Sequence, residues 1–265
     1  MASPSPHAAR VEQAWDEVAL GYDAYFGPRF APYLGAAIGA LLARQEQLPS
    51  GALLVPCVGP GRELCPLARA FVGRKIAASD LSTTMVKRAR ERAAAYPNVS
   101  VERADASALP VPKGGAAAIL SVFGLQLLPD PAAVLAAWLG LLEPAGLAVV
   151  VYWPRDTEAV GPFHSMRALL RQAGLPDGDW EDRLVSSAAT SGGRVLVDLP
   201  LAFEIAHDDA RTLWHALTLL GPLRALMLAR GAELIAQLGE AFVAELPAGP
   251  ILHTPSARLL VLERG

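Results

Sequence analysis

The spacing of apolar residues at the start of the chain predicts two helices separated by a break. Apolar residues recur every three or four positions over residues 10–20, and the same pattern is stronger over residues 33–47. The aromatic segment between them is bounded by Gly21 and Pro28, which are typical helix breakers. We therefore expect two helices joined by an aromatic loop.

The pattern changes after residue 50, where short apolar runs alternate with helical spacing. Continuous apolar runs predict strands that are buried on both faces, as in parallel sheets covered by helices. The pattern predicts strands at residues 52–56, 75–78, 99–102, 116–122 and 147–152, and helices at residues 62–72, 82–95 and 130–142. This alternation is typical of a doubly wound α/β domain.

The alternation ends after Trp153. A helix at 162–173, a long strand at 194–206 and a mostly helical stretch at 209–246 precede a closing strand at 257–263. Since the chain contains no internal repeat and no low-complexity linker, we expect one domain over residues 1–265 with an elaborated second half.

Length, composition and charge indicate which classes of protein and which partners fit this chain. With 265 residues, of which 52% are hydrophobic, the chain is long enough to bury a large core without disulfides.

The net charge of the chain is −3, which argues against nucleic acid as a partner, because phosphate binding favours an excess of basic residues. The longest clean apolar stretch, residues 145–153, is too short to span a bilayer. Only Cys57 and Cys65 are present, in no zinc spacing, so we expect a protein of the reducing cytoplasm.

A glycine-containing loop follows the first strand of the α/β region. Gly59 and Gly61 allow the backbone to approach a ligand closely, and the next helix begins directly after them. Ligands of open parallel sheets bind at such carboxyl ends. A dinucleotide fingerprint would place a third glycine where Leu64 stands, which disfavours a nicotinamide-dependent oxidoreductase without removing it as an alternative.

Acidic residues follow the next two strands. Asp80 ends the second strand, where a carboxylate accepts hydrogen bonds from the ribose hydroxyls of an adenosine ligand. Its alternative role is that of an aspartate favoured by a helix N-terminus. Asp105 and Ala106 follow the third strand, where a carboxylate and a backbone N–H could recognise the edge of adenine.

Taken together, four successive segments resemble the motifs of class I S-adenosylmethionine-dependent methyltransferases. They are LLVPCVGPGREL, SDLSTTMVKRARERA, ADASALPVP and AILSVFGLQLLPDPAAVLAAWLGLLEPAGLAVVVYW. They are most similar to the small-molecule branch that includes ubiquinone and menaquinone biosynthesis, and WDEVALGYDAYF resembles the N-terminal lid segment of that branch. The resemblance runs in order from about Val11 to Trp153.

The resemblance implies a Rossmann-like sheet of seven strands, mostly parallel, whose last strand (257–263) is antiparallel, with helices on both faces. It also implies a helical lid at 10–47 and a cap or substrate region within 154–250. The implied cofactor is S-adenosylmethionine, with S-adenosylhomocysteine as product. The cofactor-binding residues implied in this way are Tyr22, Cys57, Gly59, Gly61, Asp80, Leu81, Met85, Asp105, Ala106, Ser121 and Phe123.

The chain departs from the family pattern at four positions. Val55 stands where an acidic residue is usual, Cys57 where a glycine is usual, and Ala116 and Ala117 where a Phe-Asp pair is usual. Loss of the acid at position 55 predicts weaker cofactor binding. The alternative is a protein that uses the fold without methyl transfer, such as a cyclase or a regulatory binder.

A methyl acceptor that carries a proton on its reacting atom requires a base, and histidine is the usual candidate. His164 follows the fifth strand and is the predicted base, while His7, His207, His215 and His253 are weaker candidates. A lone histidine is more often structural, and no pair has metal-ligand spacing. The apolar stretch at 209–246 is expected to cap a small, apolar acceptor, with ordinary core packing as the alternative. The sequence predicts no membrane span and leaves the oligomeric state open.

Overall fold

A computed structural model describes residues 6–112, 114–175 and 178–265 of the chain. The chain divides into two compact units. Unit 1 consists of Met1–Phe30, Arg155–Asp177 and Ala202–Ser256, and unit 2 of Ala31–Pro154, Gly178–Leu201 and Ala257–Gly265. The predicted roles of residues 10–47 as a lid and 154–250 as a cap stay predictions.

Unit 2 contains a seven-stranded sheet in the order β3-β2-β1-β4-β5-β9-β6. The strands are β1 (Ala52–Pro56), β2 (Ile76–Asp80), β3 (Val99–Arg103), β4 (Ala116–Val122), β5 (Leu142–Tyr152), β6 (Gly193–Ala202) and β9 (Ser256–Arg264). Strands β1 to β5 pair in parallel, whereas β9 pairs antiparallel with β5. Six of the seven residues of β4 are buried, as the apolar pattern predicts for a central strand. The predicted fold class is therefore confirmed.

Four complete helices lie in the described part of unit 2. They are α2 (Leu64–Ala70), α3 (Thr83–Ala93), α4 (Pro131–Leu141) and α6 (Trp180–Thr190). The side chain of Ser82 caps α3 by accepting a hydrogen bond from Met85 N at 3.1 Å, as its position in the sequence indicates. Asp130 caps α4 in the same way through Ala133 N.

Unit 1 is mainly helical. It contains α5 (Pro162–Gln172), α7 (Ala210–Leu217), α8 (Gly221–Arg230) and α9 (Ala232–Glu245), together with a two-stranded antiparallel sheet of β7 (Ile205–His207) and β8 (Ile251–His253). In its core, the rings of Trp214 and Phe242 lie 5.2 Å apart. In the described part of the chain, no single helix is long and apolar enough to cross a membrane, and α7 and α8 pass that test only as a pair bent by 77°.

The predicted break near the N-terminus is wrong, because one helix, α1 (Pro6–Leu42), runs through it. Gly21 lies inside this helix, where a Cβ would approach Leu219 to 2.9 Å, so the glycine permits close packing. Pro28 removes one N–H from the helix, and the Arg29 side chain donates to the carbonyl of Tyr25 at 2.8 Å in the same turn. Tertiary packing therefore outweighs the local breakers.

The predicted strand at 194–206 is also wrong as a single element. The structure divides it into β6, which joins the large sheet, and β7, which pairs with β8. An apolar run alone does not indicate which sheet a strand joins. Helix α6 was not predicted from the sequence, although Leu184 and Ala188 are buried in it one turn apart.

Candidate functional site

The glycine loop after β1 is held in place by backbone hydrogen bonds. Val58 N donates to Ser79 O at 3.0 Å, and Gly61 N donates back to Val58 O at 3.0 Å. Gly59 and Gly61 both have positive φ angles, of +52° and +77°. A Cβ on Gly61 would lie 2.8 Å from the Cα of Ala89, whereas around Gly59 no described atom lies within 4 Å of such a Cβ. Gly61 therefore packs the loop onto α3, and Gly59 borders open space.

Asp80, at the end of β2, binds this loop directly. Its Oδ2 accepts from Gly59 N at 2.8 Å, and its Oδ1 accepts from Ser82 N at 3.0 Å. The Ser82 hydroxyl caps α3, and Asp80 binds the backbone N–H of that capping residue, so the roles of Asp80 as a ribose ligand and as an aspartate at a helix N-terminus both stay predictions. Asp80 thus joins the glycine loop to the start of α3.

Glu63 lies two residues beyond the loop and was missed by the sequence analysis. It is only 7% exposed, although it is an acidic residue. The pKa of Glu63 is raised to about 7, mainly by burial and also by the negative charge of Asp80, against a lowering by a backbone hydrogen bond and by Arg92. No local sequence signal identifies this group, because its burial depends on how α2 packs.

The segment after β3 carries the next two predicted residues. Asp105 is exposed, and its Oδ1 accepts hydrogen bonds from the backbone N and the hydroxyl of Ser107 at 2.8 and 2.7 Å. The neighbouring Ala106 is buried, and its carbonyl accepts from the indole of Trp138 at 2.9 Å. The indole therefore fixes the backbone beside Asp105, a role for Trp138 that the sequence did not suggest.

The segment after β4 contacts the end of β1. A Cβ on Gly124 would overlap Cys57 Cβ at 2.3 Å and lie 3.1 Å from Ser121 Oγ, so these three residues pack tightly. Ser121 is 1% exposed, and its Oγ has no hydrogen-bond partner among the described residues. Phe123 adopts a φ of +59° and donates its N–H to Val151 O at 2.7 Å. A buried, unsatisfied hydroxyl at this position is a candidate ligand contact.

Cys57 also has a positive φ, of +54°, at the position where the family has glycine. Burial raises the pKa of the Cys57 thiol, and the carboxylates of Asp80 and Asp105 raise it further. The thiol is therefore neutral and packs as a small apolar group. Both Cys57 and Cys65 are free, as expected.

An aromatic cluster lies beside this segment in unit 2. The rings of Phe123 and Trp153 stack with centroids 4.3 Å apart, and Tyr33 packs edge-on against both at 5.5 and 5.1 Å. The other two predicted residues of unit 2 lie at the start of α3, where Met85 is buried and Leu81 is partly exposed. The carbonyl of Leu81 accepts from Arg103 Nε at 3.1 Å.

Three of the four positions that depart from the family pattern are fully internal. Val55, Ala116 and Ala117 are each at most 1% exposed and lie in the central strands β1 and β4. The apolar residues extend the core at these positions, and unit 2 retains Asp80, Asp105 and Glu63 as its acidic groups near the loop.

Two predicted site residues, Tyr22 and His164, belong to unit 1. Tyr22 packs edge-on against Trp15 with ring centroids 5.4 Å apart. His164 is exposed in the first turn of α5, and its backbone N–H donates to Glu158 Oε1 at 3.3 Å. Their assigned roles, in closing over the cofactor and in accepting a proton, stay predictions.

Two histidines that the sequence treats as isolated lie together in unit 1. His207 Nε2 and His253 Nε2 are 3.1 Å apart, and both rings are buried. Their sequence signal is a shared pattern, Ile205-x-His207 and Ile251-x-His253. Because alternate residues of a strand share one face, this pattern predicts that each histidine lies on the same face as a buried isoleucine.

Comparison with known proteins finds one matching family over part of the chain. A family described as a methyltransferase domain matches residues 54–146, which carry the glycine loop, Asp80, Asp105 and Ser121. No curated protein matches the chain significantly by sequence.

Solved structures share the fold at low sequence identity. The YcgJ protein from Bacillus subtilis has a TM-score of 0.58 and 13% identity, and the match covers 87% of this chain and 98% of that one. A geranyl diphosphate methyltransferase in complex with GPP and sinefungin has a TM-score of 0.54 and 17% identity, covering 87% and 78%. The 4+2 cyclase SpnF has a TM-score of 0.51 and 18% identity, covering 86% and 79%. The similarity to class I methyltransferases is thus confirmed for the domain at 54–146 and for the fold.

Proposed function

We propose that this chain, whose residues 54–146 match a methyltransferase-domain family, binds S-adenosylmethionine and transfers the methyl group to a small molecule. The observation that carries the proposal is the hydrogen bond that Gly59 N donates to Asp80 Oδ2. It links the carboxylate expected to bind ribose to the loop expected to approach the methionine portion. The matching family supports this assignment over residues 54–146.

The residues present fit such a cofactor. Gly59 borders open space, Ser121 Oγ is buried without a described partner, and Asp80 supplies a carboxylate, the group that accepts hydrogen bonds from ribose hydroxyls. We assign Asp80 to the ribose, Asp105 and Ala106 to the adenine edge, and Ser121 to the methionine portion. Leu81, Met85 and Phe123 supply apolar contacts, and Tyr22 is proposed to close over the bound cofactor.

When bound, S-adenosylmethionine supplies a methyl carbon on a positively charged sulfonium, which is open to in-line attack by an acceptor. The protein's contribution is to position the reactants and exclude water, and this requires no metal ion. Ordered backbone at Gly59 and Ala106 restricts the cofactor to one pose. The low polarity of Val55, Cys57 and Ala117 limits water near the loop.

The test is calorimetric titration of the purified chain with S-adenosylmethionine, S-adenosylhomocysteine and NADH. We expect micromolar binding of the first two and no heat with NADH. Asp80→Asn removes the charge and one acceptor oxygen, so cofactor affinity should fall at least tenfold, or about 1.4 kcal/mol. Asp130→Asn is the matched control, because asparagine also caps α4 and the site is unchanged. Binding of NADH alone, or equal affinities for both variants, would contradict the proposal.

A second candidate function is non-methylating chemistry on the same fold. Val55, at 1% exposure, provides no acidic group at the position where the family usually has one. Similarity in fold to the cyclase SpnF is consistent with this candidate. Incubation with S-adenosylmethionine and a panel of alcohols, amines and phenols separates the two, because only methyl transfer releases S-adenosylhomocysteine.

The acceptor is proposed to be a small, largely apolar molecule. The helices α7 to α9 of unit 1 are rich in Leu and Ala, although Trp214 and Phe242 pack on each other as core. The cytoplasmic location and the absence of nucleic-acid partners stay predictions from charge and composition.

A further inference from the structure

Two polar side chains that follow β4 in unit 2 keep a buried atom without a hydrogen-bond partner among the described residues. One atom is Ser121 Oγ, whose residue is 1% exposed. The other is Gln126 Oε1, in the single helical turn Leu125–Leu127. Because a buried polar atom without a partner costs stability, each of these atoms is a candidate contact for a bound group.

The chemistry of the Gln126 amide fixes which of its two polar atoms is unpaired. The side-chain nitrogen, Nε2, donates to the carbonyl oxygen of Phe123 at 2.9 Å. A backbone carbonyl only accepts hydrogen bonds, so turning the amide around would place two acceptors against each other. The unpaired atom is therefore an oxygen, and a group that binds it must donate an N–H or an O–H.

Both side chains border the same stretch of backbone at the carboxyl end of β4. Gln126 contacts the carbonyl of Phe123, and Ser121 Oγ lies 3.1 Å from the position that a Cβ on Gly124 would take. Cys57 Sγ, at the end of β1, lies 3.1 Å from that same position. The sheet continues beyond β1 through β2 and β3, and beyond β4 through β5. The two side chains thus lie where the strand order reverses, the usual place for a ligand in an open parallel sheet.

The electrostatic surroundings favour a positively charged group at this place. Burial, and then the carboxylates of Asp80 and Asp105, raise the pKa of the Cys57 thiol. The effect of the two carboxylates means that their negative potential extends to Cys57. The thiol stays neutral, so it adds no charge of its own. A cationic donor is therefore attracted here more strongly than a neutral hydroxyl.

The residue at position 55 explains why acceptors in β4 matter for this chain. Val55 is 1% exposed in β1 and stands where the family usually has an acid. Valine neither accepts a hydrogen bond from its side chain nor carries a charge. Strands β1 and β4 pair in parallel, with Leu54 opposite Ile119, so the residues after the two strands are neighbours. Ser121 and Gln126 supply acceptors on the strand beside the missing acid.

We propose that Gln126 Oε1 and Ser121 Oγ accept hydrogen bonds from the ammonium group of the cofactor's methionine portion. This inference rests on the proposed binding of S-adenosylmethionine. A primary ammonium carries three donors, so one such group can satisfy both acceptors. Gln126 becomes a cofactor-binding residue that the sequence analysis did not identify, and the contact of Ser121 is narrowed to one group of the cofactor.

The test compares three nucleosides by calorimetric titration of the purified chain. S-adenosylhomocysteine carries both the ammonium and the carboxylate of its amino-acid portion. Its deamino analogue lacks only the ammonium, and 5′-methylthioadenosine lacks both groups. Because hydrogen bonds to a charged group are the strong ones, the parent chain should bind the deamino analogue about tenfold or more weakly than S-adenosylhomocysteine.

The variants Gln126→Met and Ser121→Ala each remove one acceptor with little change in volume. Each should weaken binding of S-adenosylhomocysteine about tenfold and leave the affinities for the other two nucleosides unchanged. Gln126→Met also loses the bond to Phe123, so damage to the fold would weaken all three ligands together. Ser121→Ala keeps the test valid where Gln126→Met is unstable. Because Ser121 Oγ has no described partner, ligand-free Ser121→Ala should unfold at the same or a higher denaturant concentration.

Ser187→Ala is the matched control in unit 2. The hydroxyl of Ser187, on α6, donates to the carbonyl of Ala132 at 3.2 Å. Its removal should therefore lower the denaturant midpoint and leave the affinities for all three nucleosides unchanged, which is the reverse of the pattern expected for Ser121→Ala.

Several results would overturn the proposal. Parental affinity for S-adenosylhomocysteine in both variants would show that the two atoms do not contact the cofactor. An equal loss for all three nucleosides would assign the two side chains a structural role. Equal binding of S-adenosylhomocysteine and its deamino analogue by the parent would show that the ammonium is not held. A parent chain that binds none of the three would instead overturn the proposed function itself, so the two failures are distinguished.

Discussion

The two glycines of the loop after β1 should respond differently to replacement by alanine: Gly61→Ala should lose more stability, and Gly59→Ala more cofactor affinity. At Gly61 the new Cβ would lie 2.8 Å from Ala89 Cα and Cβ and 2.9 Å from Leu64 Cδ1. Two of these atoms belong to a helix that cannot move alone, so the loop and α3 must separate. Overpacking of this kind costs about 1–3 kcal/mol, in addition to about 1–2 kcal/mol for a non-glycine residue with left-handed backbone.

At Gly59 only the cost of placing a non-glycine residue in a left-handed backbone conformation applies. Its φ is +52°, and no described atom lies within 4 Å of the added Cβ. We expect Gly59→Ala to lose about 1–2 kcal/mol of the free energy of unfolding, and Gly61→Ala about 1–3 kcal/mol more than that. Denaturant titration of both variants measures the difference.

Among the molecules that remain folded, Gly59→Ala should weaken cofactor binding more than Gly61→Ala does. The methyl group at position 59 occupies space that we assign to the cofactor, so Gly59→Ala should weaken S-adenosylmethionine binding at least tenfold. Gly61→Ala should change affinity mainly through loss of folded protein. Equal stability of the two variants would refute the packing argument, and parental affinity in Gly59→Ala would refute the assignment of the loop to the cofactor.

Two further predictions concern groups that the sequence did not identify. Since burial raises the pKa of Glu63 to about 7, the folded state retains a proton that the unfolded state loses near pH 4.5. The free energy of unfolding should therefore fall by about 3 kcal/mol between roughly pH 4.5 and 7, and denaturant midpoints of Glu63→Gln should lack this decrease. Trp138→Phe removes the donor to the buried carbonyl of Ala106, so it should cost about 1–3 kcal/mol of stability. Trp138→Phe should also weaken cofactor binding, which calorimetry measures. An unchanged affinity would show that Ala106 does not contribute to the cofactor site.

Local patterns in the sequence determined most of unit 2. Strands β1 and β4 begin where the apolar runs begin, because a strand buried on both faces needs apolar residues at every position. The cap at Ser82 and the positions of Asp80 and Asp105 after their strands follow from chain order alone. These features depend on neighbours within a few residues, so one sequence is sufficient to predict them.

Tertiary structure decided the features that depend on distant parts of the chain. Gly21 and Pro28 break helices in isolation, yet packing against residues such as Leu219 keeps α1 continuous. The burial that raises the pKa of Glu63 is set by the packing of α2 and α3. His207 and His253 are 46 residues apart and meet only because β7 leaves the apolar run of β6 to pair with β8. A hydrophobic pattern specifies that a residue is buried, but its partner is specified by pairing and packing over the whole fold.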